Sequence, residues 1–138
     1  MIAYADTSVL VALFSQDAFT ERARSWLARR PSLIVSNWAA AEFSAAIRRK
    51  QRLGELDPDG VARAEALMDR LVGDPASFRP VMADDLWRAR EAVRTHPPLR
   101  APDALHLVVA RRLSLPLATF DKGLHQAAAA EGLSVVGL

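Results

Sequence analysis

The chain opens with a short apolar run, "IAYA", closed by an aspartate and two hydroxyl residues, after which "TSVLVALFSQ" is apolar on most sides. An unbroken apolar run followed by a longer one that starts on Asp, Thr and Ser predicts a buried strand leading into a buried helix. The same alternation recurs down the chain. Ala23, Trp26 and Leu27 fall at helical spacing in a second helix from about Phe19 to Arg29. "SLIVS" then reads as a strand, followed by a long helix from Asn37 to Leu53 that Gly54 ends.

Asp57 and Pro58 supply a cap and a first-turn proline for a helix reaching about Val72. "SFRPVM" is a weaker strand whose proline suits a sheet edge. "ADDLWRAREAVRTH" and "PDALHLVVARRL" are helical, separated by a loop bracketed by Pro97, Pro98 and Pro102. "PLATF" is a strand, "KGLHQAAAAEG" a last helix and "LSVVG" a last strand. Strands alternating with helices imply parallel pairing and right-handed crossovers. The expected fold is α/β: a three-layer α/β/α sandwich around a parallel sheet of about five strands, in a single domain spanning 1–138.

Composition narrows the setting. With 138 residues and no cysteine, the chain needs no disulfide and offers no thiolate metal site, which fits a reducing, cytoplasmic compartment. Its longest apolar stretch, "ALHLVVA", is far shorter than the roughly 20 residues of a membrane span, so no membrane association is expected. The net charge is only +2, but eight bases and two acids lie between Glu21 and Leu53. That lobe is either a set of solvated helix faces or a surface for phosphates.

In such a sheet the strand C-termini and the helix N-termini share one edge, where ligands bind. Asp6 and Asp121 each end a strand, Asp103 lies in the first turn of its helix, and Glu42 lies about two turns into the long one. Asp6 and Asp121 are equally open to reading as helix caps, and Asp103 as a complement to the helix dipole. Glu42 sits instead among Trp38, Ala41, Ala45 and Ala46, where a carboxylate is costly unless something neutralises it. Four converging carboxylates repel one another, and a hard cation, Mg²⁺ or Mn²⁺, relieves the repulsion through oxygen ligands. Thr7, Ser8 and Thr119 are positioned to orient ligands or water, Ser8 being the stronger candidate. His106, three residues after Asp103 and so on a neighbouring face, is read either as a residue that supports the acids from behind or as a packing residue, packing being the favoured reading. No glycine-rich phosphate loop, nucleophile elbow or Cys/His pair offers a rival chemistry.

The blocks "DTSVLVALF", "AEFSAAIRR", "PDALHLVVARRL" and "LATFDKGL" follow one another over essentially the whole chain, which thereby resembles a PIN-domain ribonuclease of the VapC toxin type. The resemblance implies Mg²⁺- or Mn²⁺-dependent cleavage of single-stranded or looped RNA. It maps the family's acidic quartet onto Asp6, Glu42, Asp103 and Asp121, with Asp6 and Asp103 as the most direct metal ligands. Thr7 or Ser8 matches its hydroxyl position, and Thr119 stands where some relatives carry another polar or acidic residue. The resemblance also implies a homodimer and a cognate antitoxin. Arg48, Arg49, Arg52 and Arg100 are the candidate contacts to the RNA backbone. Trp38, a turn before Glu42, is expected to pack rather than to stack on a base. Two alternatives stay open: a nuclease acting on DNA, and a non-catalytic doubly wound signalling or RNA-binding module holding a structural metal.

Overall fold

The computed structural model describes all residues, 1–138. Its elements run β1 (Ile2–Ala5), α1 (Thr7–Phe14), α2 (Thr20–Leu27), β2 (Ser32–Ile34), α3 (Asn37–Arg52), α4 (Pro58–Gly73), α5 (Ala83–Thr95), α6 (Ala101–Arg112), β3 (Leu117–Ala118) and α7 (Lys122–Ala130). The strands lie parallel in the order β2-β1-β3, with Ala3 opposite Leu33 and Ala5 opposite Ala118. The weak strand "SFRPVM" and the last strand "LSVVG" of the sequence pattern shrink to single parallel bridges, Val35 to Phe78 and Leu117 to Val135. The sheet therefore has three strands with one bridge on each flank rather than five full strands. Pro80, two residues after Phe78, lacks the N–H that would carry pairing onward on one side.

Alternation along β1 divides the core. Ala3 and Ala5 join Val9, Leu10, Phe43, Ile47 and Met68 in a cluster made with α1 to α4. Tyr4 points to the other face, with Leu105, Leu107, Leu117 and Leu124 beneath α5 to α7. Successive strand side chains face opposite ways, so one buried strand serves both helical layers, as the α/β/α expectation requires. Alanines on the first face let α1 lie close to the sheet, and α6, buried along most of its length, fills the second. No helix is long and apolar enough to cross a membrane.

The caps fit the sequence signals. Asp6, Ser36, Asp57 and Asp121 each accept a backbone N–H in the first turn of α1, α3, α4 and α7. Gly54, after α3, has φ +74°, a conformation that side chains with a Cβ rarely adopt. Far from the acid edge, Asp85 is fully buried and accepts from Arg112 Nε at 2.9 Å and Nη2 at 2.9 Å, tying α5 to α6. Burial acts to raise the Asp85 carboxyl, but the hydrogen bonds and charge of Arg112 outweigh it and hold it below the usual range.

Removing one partner of such a pair leaves the other without compensation. Arg112→Ala is expected to lower unfolding stability by about 3 kcal/mol in urea titrations at neutral pH. Because the folded carboxyl is depressed, the pair's contribution is complete above the unfolded value and fades as pH falls through the folded one. The gap between wild type and Arg112→Ala should therefore narrow in acid; a gap independent of pH would contradict the assignment.

Candidate active site

Asp6 ends the central strand and is 3% exposed. Its Oδ1 accepts from the Ser8 hydroxyl at 2.6 Å and from the Val9 N–H at 3.1 Å, and its Oδ2 accepts from the Thr119 hydroxyl at 2.5 Å. Ser8 Oγ in turn accepts the Phe120 N–H at 2.9 Å, and Thr119 Oγ1 the Asp121 N–H at 3.0 Å. The two hydroxyls thus stitch the start of α1 to the turn after β3. Burial pushes the Asp6 carboxyl up, against the opposing effects of His106, Ser8, Thr119 and Val9. Asp6 and Asp121 do cap their helices, as the alternative reading had it, and lie at the acid edge as well.

Asp103, in the first turn of α6, is raised chiefly by burial and then by the negative charge of Asp121. Arg100 opposes that shift: its Nε lies 3.2 Å from Asp103 Oδ2, although the arginine side chain is 73% exposed. Asp121 accepts the Leu124 N–H at 2.7 Å, and neither Asp6 nor Asp121 has a cation in a salt bridge. Asp103 and Asp121 therefore repel each other at this edge, with no cation on Asp121.

Glu42 departs from expectation. The sequence reading gives it no basic partner, yet His106 Nε2 lies 2.5 Å from its Oε1 and the Thr7 hydroxyl donates to the same oxygen at 2.9 Å. Burial acts to raise the Glu42 carboxyl, but the hydrogen bond and charge of His106 outweigh it, and the group is held below the usual range. His106 is thus not a packing residue. Its Nδ1 lies 2.9 Å from the Tyr4 hydroxyl, which lies 2.8 Å from Ser36 Oγ, itself the acceptor of the Ala39 N–H. An ionised Glu42 only accepts, so Nε2 carries its proton toward Oε1, while Nδ1 and the Tyr4 and Ser36 hydroxyls extend the hydrogen-bonded chain on the other side of the ring. Burial raises the Tyr4 hydroxyl far above its usual value, so it stays protonated within this chain.

Tyr4 and Ser36 escaped the sequence reading altogether. The available signal was a tyrosine within a buried strand and a histidine within "ALHLVVA", two polar tips that a core must satisfy. Arg48, Arg49 and Arg52 lie at the far end of α3, which runs away from the strand ends. Trp38 is half-buried, and its Nε1 donates to the Pro102 carbonyl at 3.3 Å, consistent with a packing role.

The whole-chain pattern now has an external counterpart, because the model of the PIN domain family matches residues 3–130. The chain belongs to the PIN domain family. A ribonuclease, VapC35 of Mycobacterium tuberculosis, is 31% identical to this PIN domain over 140 residues, covering 96% of this chain and 94% of the relative. Among solved structures, the sarcin-ricin loop cleaving toxin VapC20 of Mycobacterium tuberculosis superposes with a TM-score of 0.73 at 22% identity, over 99% of this chain and 98% of that one. A toxin-antitoxin complex from Klebsiella pneumoniae gives a TM-score of 0.60 at 20% identity, over 86% of each chain.

The donor set suits a hard divalent ion in chemistry, being oxygen-only and half-buried to buried, with Asp103 and Asp121 repelling each other. No group of three or more acidic or imidazole side chains already stands in an arrangement that would hold an ion. The physical reason is visible in the partners: Glu42 is turned to His106 and Thr7, and Asp103 to Arg100.

The Glu42 to His106 bond is testable without any ligand. His106→Leu is expected to cost about 1.5–3 kcal/mol of stability, the range for a hydrogen bond to a charged group. In a double-mutant cycle with Glu42→Gln, the two losses should be markedly less than additive; additive losses would mean that the pair does not interact in solution.

Proposed function

We propose that this PIN domain is a metal-dependent endoribonuclease that acts as the toxin of a toxin-antitoxin pair. The observation that carries the reading is the repulsion between Asp103 and Asp121 at the ligand-binding edge of the sheet, beside the buried Asp6, with Asp103 raised by burial and then by Asp121. Such a cluster works against stability and calls for a cation. Asp6, Asp103 and Asp121 would hold Mg²⁺ or Mn²⁺, with Glu42 completing the set directly or through water. When bound, the ion neutralises charge on the phosphate and makes water nucleophilic near neutral pH.

The chain's own side chains do the positioning. Ser8 and Thr119 hold both oxygens of Asp6, so the carboxylate keeps one orientation. His106 and Thr7 both act on Oε1 of Glu42, which leaves Oε2 free of them. His106 serves here as a positioning residue, held between Glu42 and Tyr4. Arg100 neutralises Asp103 in the free protein and, being exposed, can exchange that partner for a substrate phosphate. Support also comes from the relatives, one named a ribonuclease and another a toxin that cleaves the sarcin-ricin loop. A cognate antitoxin and a second copy of the chain are the partners of the same reading, the first supported by the toxin-antitoxin complex among the structural neighbours.

The test is cleavage of end-labelled RNA by antitoxin-free protein. Discrete products with 5′-phosphate and 3′-hydroxyl ends should form with Mg²⁺ or Mn²⁺ and disappear with EDTA. Asp103→Asn should abolish cleavage, a fall of at least about a hundredfold, while its thermal midpoint in metal-free buffer stays at or above that of wild type, because the repulsion with Asp121 is relieved. Metal-independent products, or full activity in Asp103→Asn, would refute the reading.

A further inference from the structure

The cations nearest the acid edge are not those of α3. Arg48, Arg49 and Arg52 lie six to ten residues beyond Glu42, about 9–15 Å further along the helix axis at roughly 1.5 Å per residue. A different wall of the site carries aromatic and basic groups together. Phe19, just before α2, and Phe120, just after β3, are stacked with ring centroids 4.6 Å apart and planes 12° from parallel. The Arg22 guanidinium lies 5.3 Å from the Phe120 centroid and 6.0 Å from that of Phe19, and it donates to the Leu138 carbonyl. Arg22 is thereby a buttress for the stack.

The stack forms one side of a hollow of about 490 Å³ whose walls also include Thr119, Asp121, Lys122 and His125. Asp121 is also one of the four acids, and Thr119 bonds to Asp6, so the hollow borders the candidate active site. Lys122 and His125 are exposed and take part in none of the chain's ion pairs. The larger hollow between α5 and α6, about 620 Å³, is walled mainly by Trp38, Leu86, Ala89, Val93 and Leu105 and does not reach the acids.

We propose that the hollow between Phe19 and Lys122 is a nucleotide subsite for single-stranded RNA, in which a base stacks on the outer face of Phe19 while Lys122 and His125 meet the adjoining phosphate. The proposal rests on the ribonuclease reading above. Three physical facts converge on it. Phe19 is 37% exposed and already stacked on one side, so a base added outside it extends an existing pile of rings. A polyanion brought to carboxylates needs positive charge close by, and the unpaired Lys122 lies on the same wall as Asp121, with the His125 ring beside it as a hydrogen-bonding group. A hollow of this volume falls within the roughly 300–1,000 Å³ typical of small-ligand clefts. Stacking on phenylalanine accepts any base, so the subsite grips and aligns the strand without dictating its sequence.

The experiment measures equilibrium binding of a single-stranded RNA about ten nucleotides long to antitoxin-free protein in EDTA, beside Mg²⁺-dependent cleavage by wild type. Phe19→Ala should weaken binding about tenfold, and Phe19→Trp should retain it. Lys122→Ala should flatten the slope of log affinity against log salt by about 0.7. Matching thermal midpoints guard against a folding defect, a small risk at an exposed ring. If wild type cleaves RNA but Phe19→Ala binds as well as wild type, the subsite is wrong and the ribonuclease reading stands. If Phe19→Ala weakens only the antitoxin complex, the hollow is a protein dock and the proposal fails. If wild type neither binds nor cleaves RNA with Mg²⁺ present, both readings fall together.

Discussion

A buried carboxylate at the end of the central strand is the constraint on which the rest of this structure depends. Leaving Asp6 charged at 3% exposure is costly unless donors surround it. The fold supplies them from two elements: Ser8 and Val9 from the first turn of α1, and Thr119 from the end of β3. Satisfying one side chain therefore fixes the sharp exit of β1 into α1, and it joins that exit to the turn that presents Asp121. The same residue closes the ladder, since its own N–H donates to the Ala118 carbonyl at 3.1 Å.

A second polar chain runs alongside and links the two helical layers. Ser36 at the start of α3, Tyr4 in β1, His106 in α6, Glu42 in α3 and Thr7 in α1 follow one another through hydrogen bonds. Each member is restrained by the next, so Glu42 is held by groups that belong to both faces of the sheet. Buried networks of this kind rigidify when every member is satisfied, and here each of the five has a hydrogen-bond partner. Rigid supports for two acids, beside a third and fourth that repel each other, describe a site built around charge rather than around stability.

Much of this was legible in the sequence. The spacing of apolar residues gave seven helices at nearly their observed bounds, because helical periodicity persists over many residues and the caps, Asp57 with Pro58 for example, mark the starts. The acid edge was legible too, since in a parallel sheet chain direction alone sends Asp6, Asp103 and Asp121 to one side. The flanking strands were overcalled: "SFRPVM" and "LSVVG" have strand-like composition, but each pairs through a single bridge, and pairing is a property of two segments that one segment's pattern does not contain. For His106 the less favoured of its two readings, support for an acid, is the observed one, because a lone histidine in an apolar helix carries no sign of what stands opposite it.

By itself the sequence determined the α/β class, the helix boundaries, the shared edge of the carboxylates and the membership that its four motif blocks announce, because all of these follow from local periodicity, chain direction and motif order. Only the tertiary structure decided how those carboxylates are partnered. It set His106 against Glu42 across 64 residues and Thr119 against Asp6 across 113, and it stacked Phe19 on Phe120 beside Asp121. Contacts between residues so far apart arise from the packing of whole elements, and side-chain electrostatics are fixed only once that packing has chosen each group's neighbours.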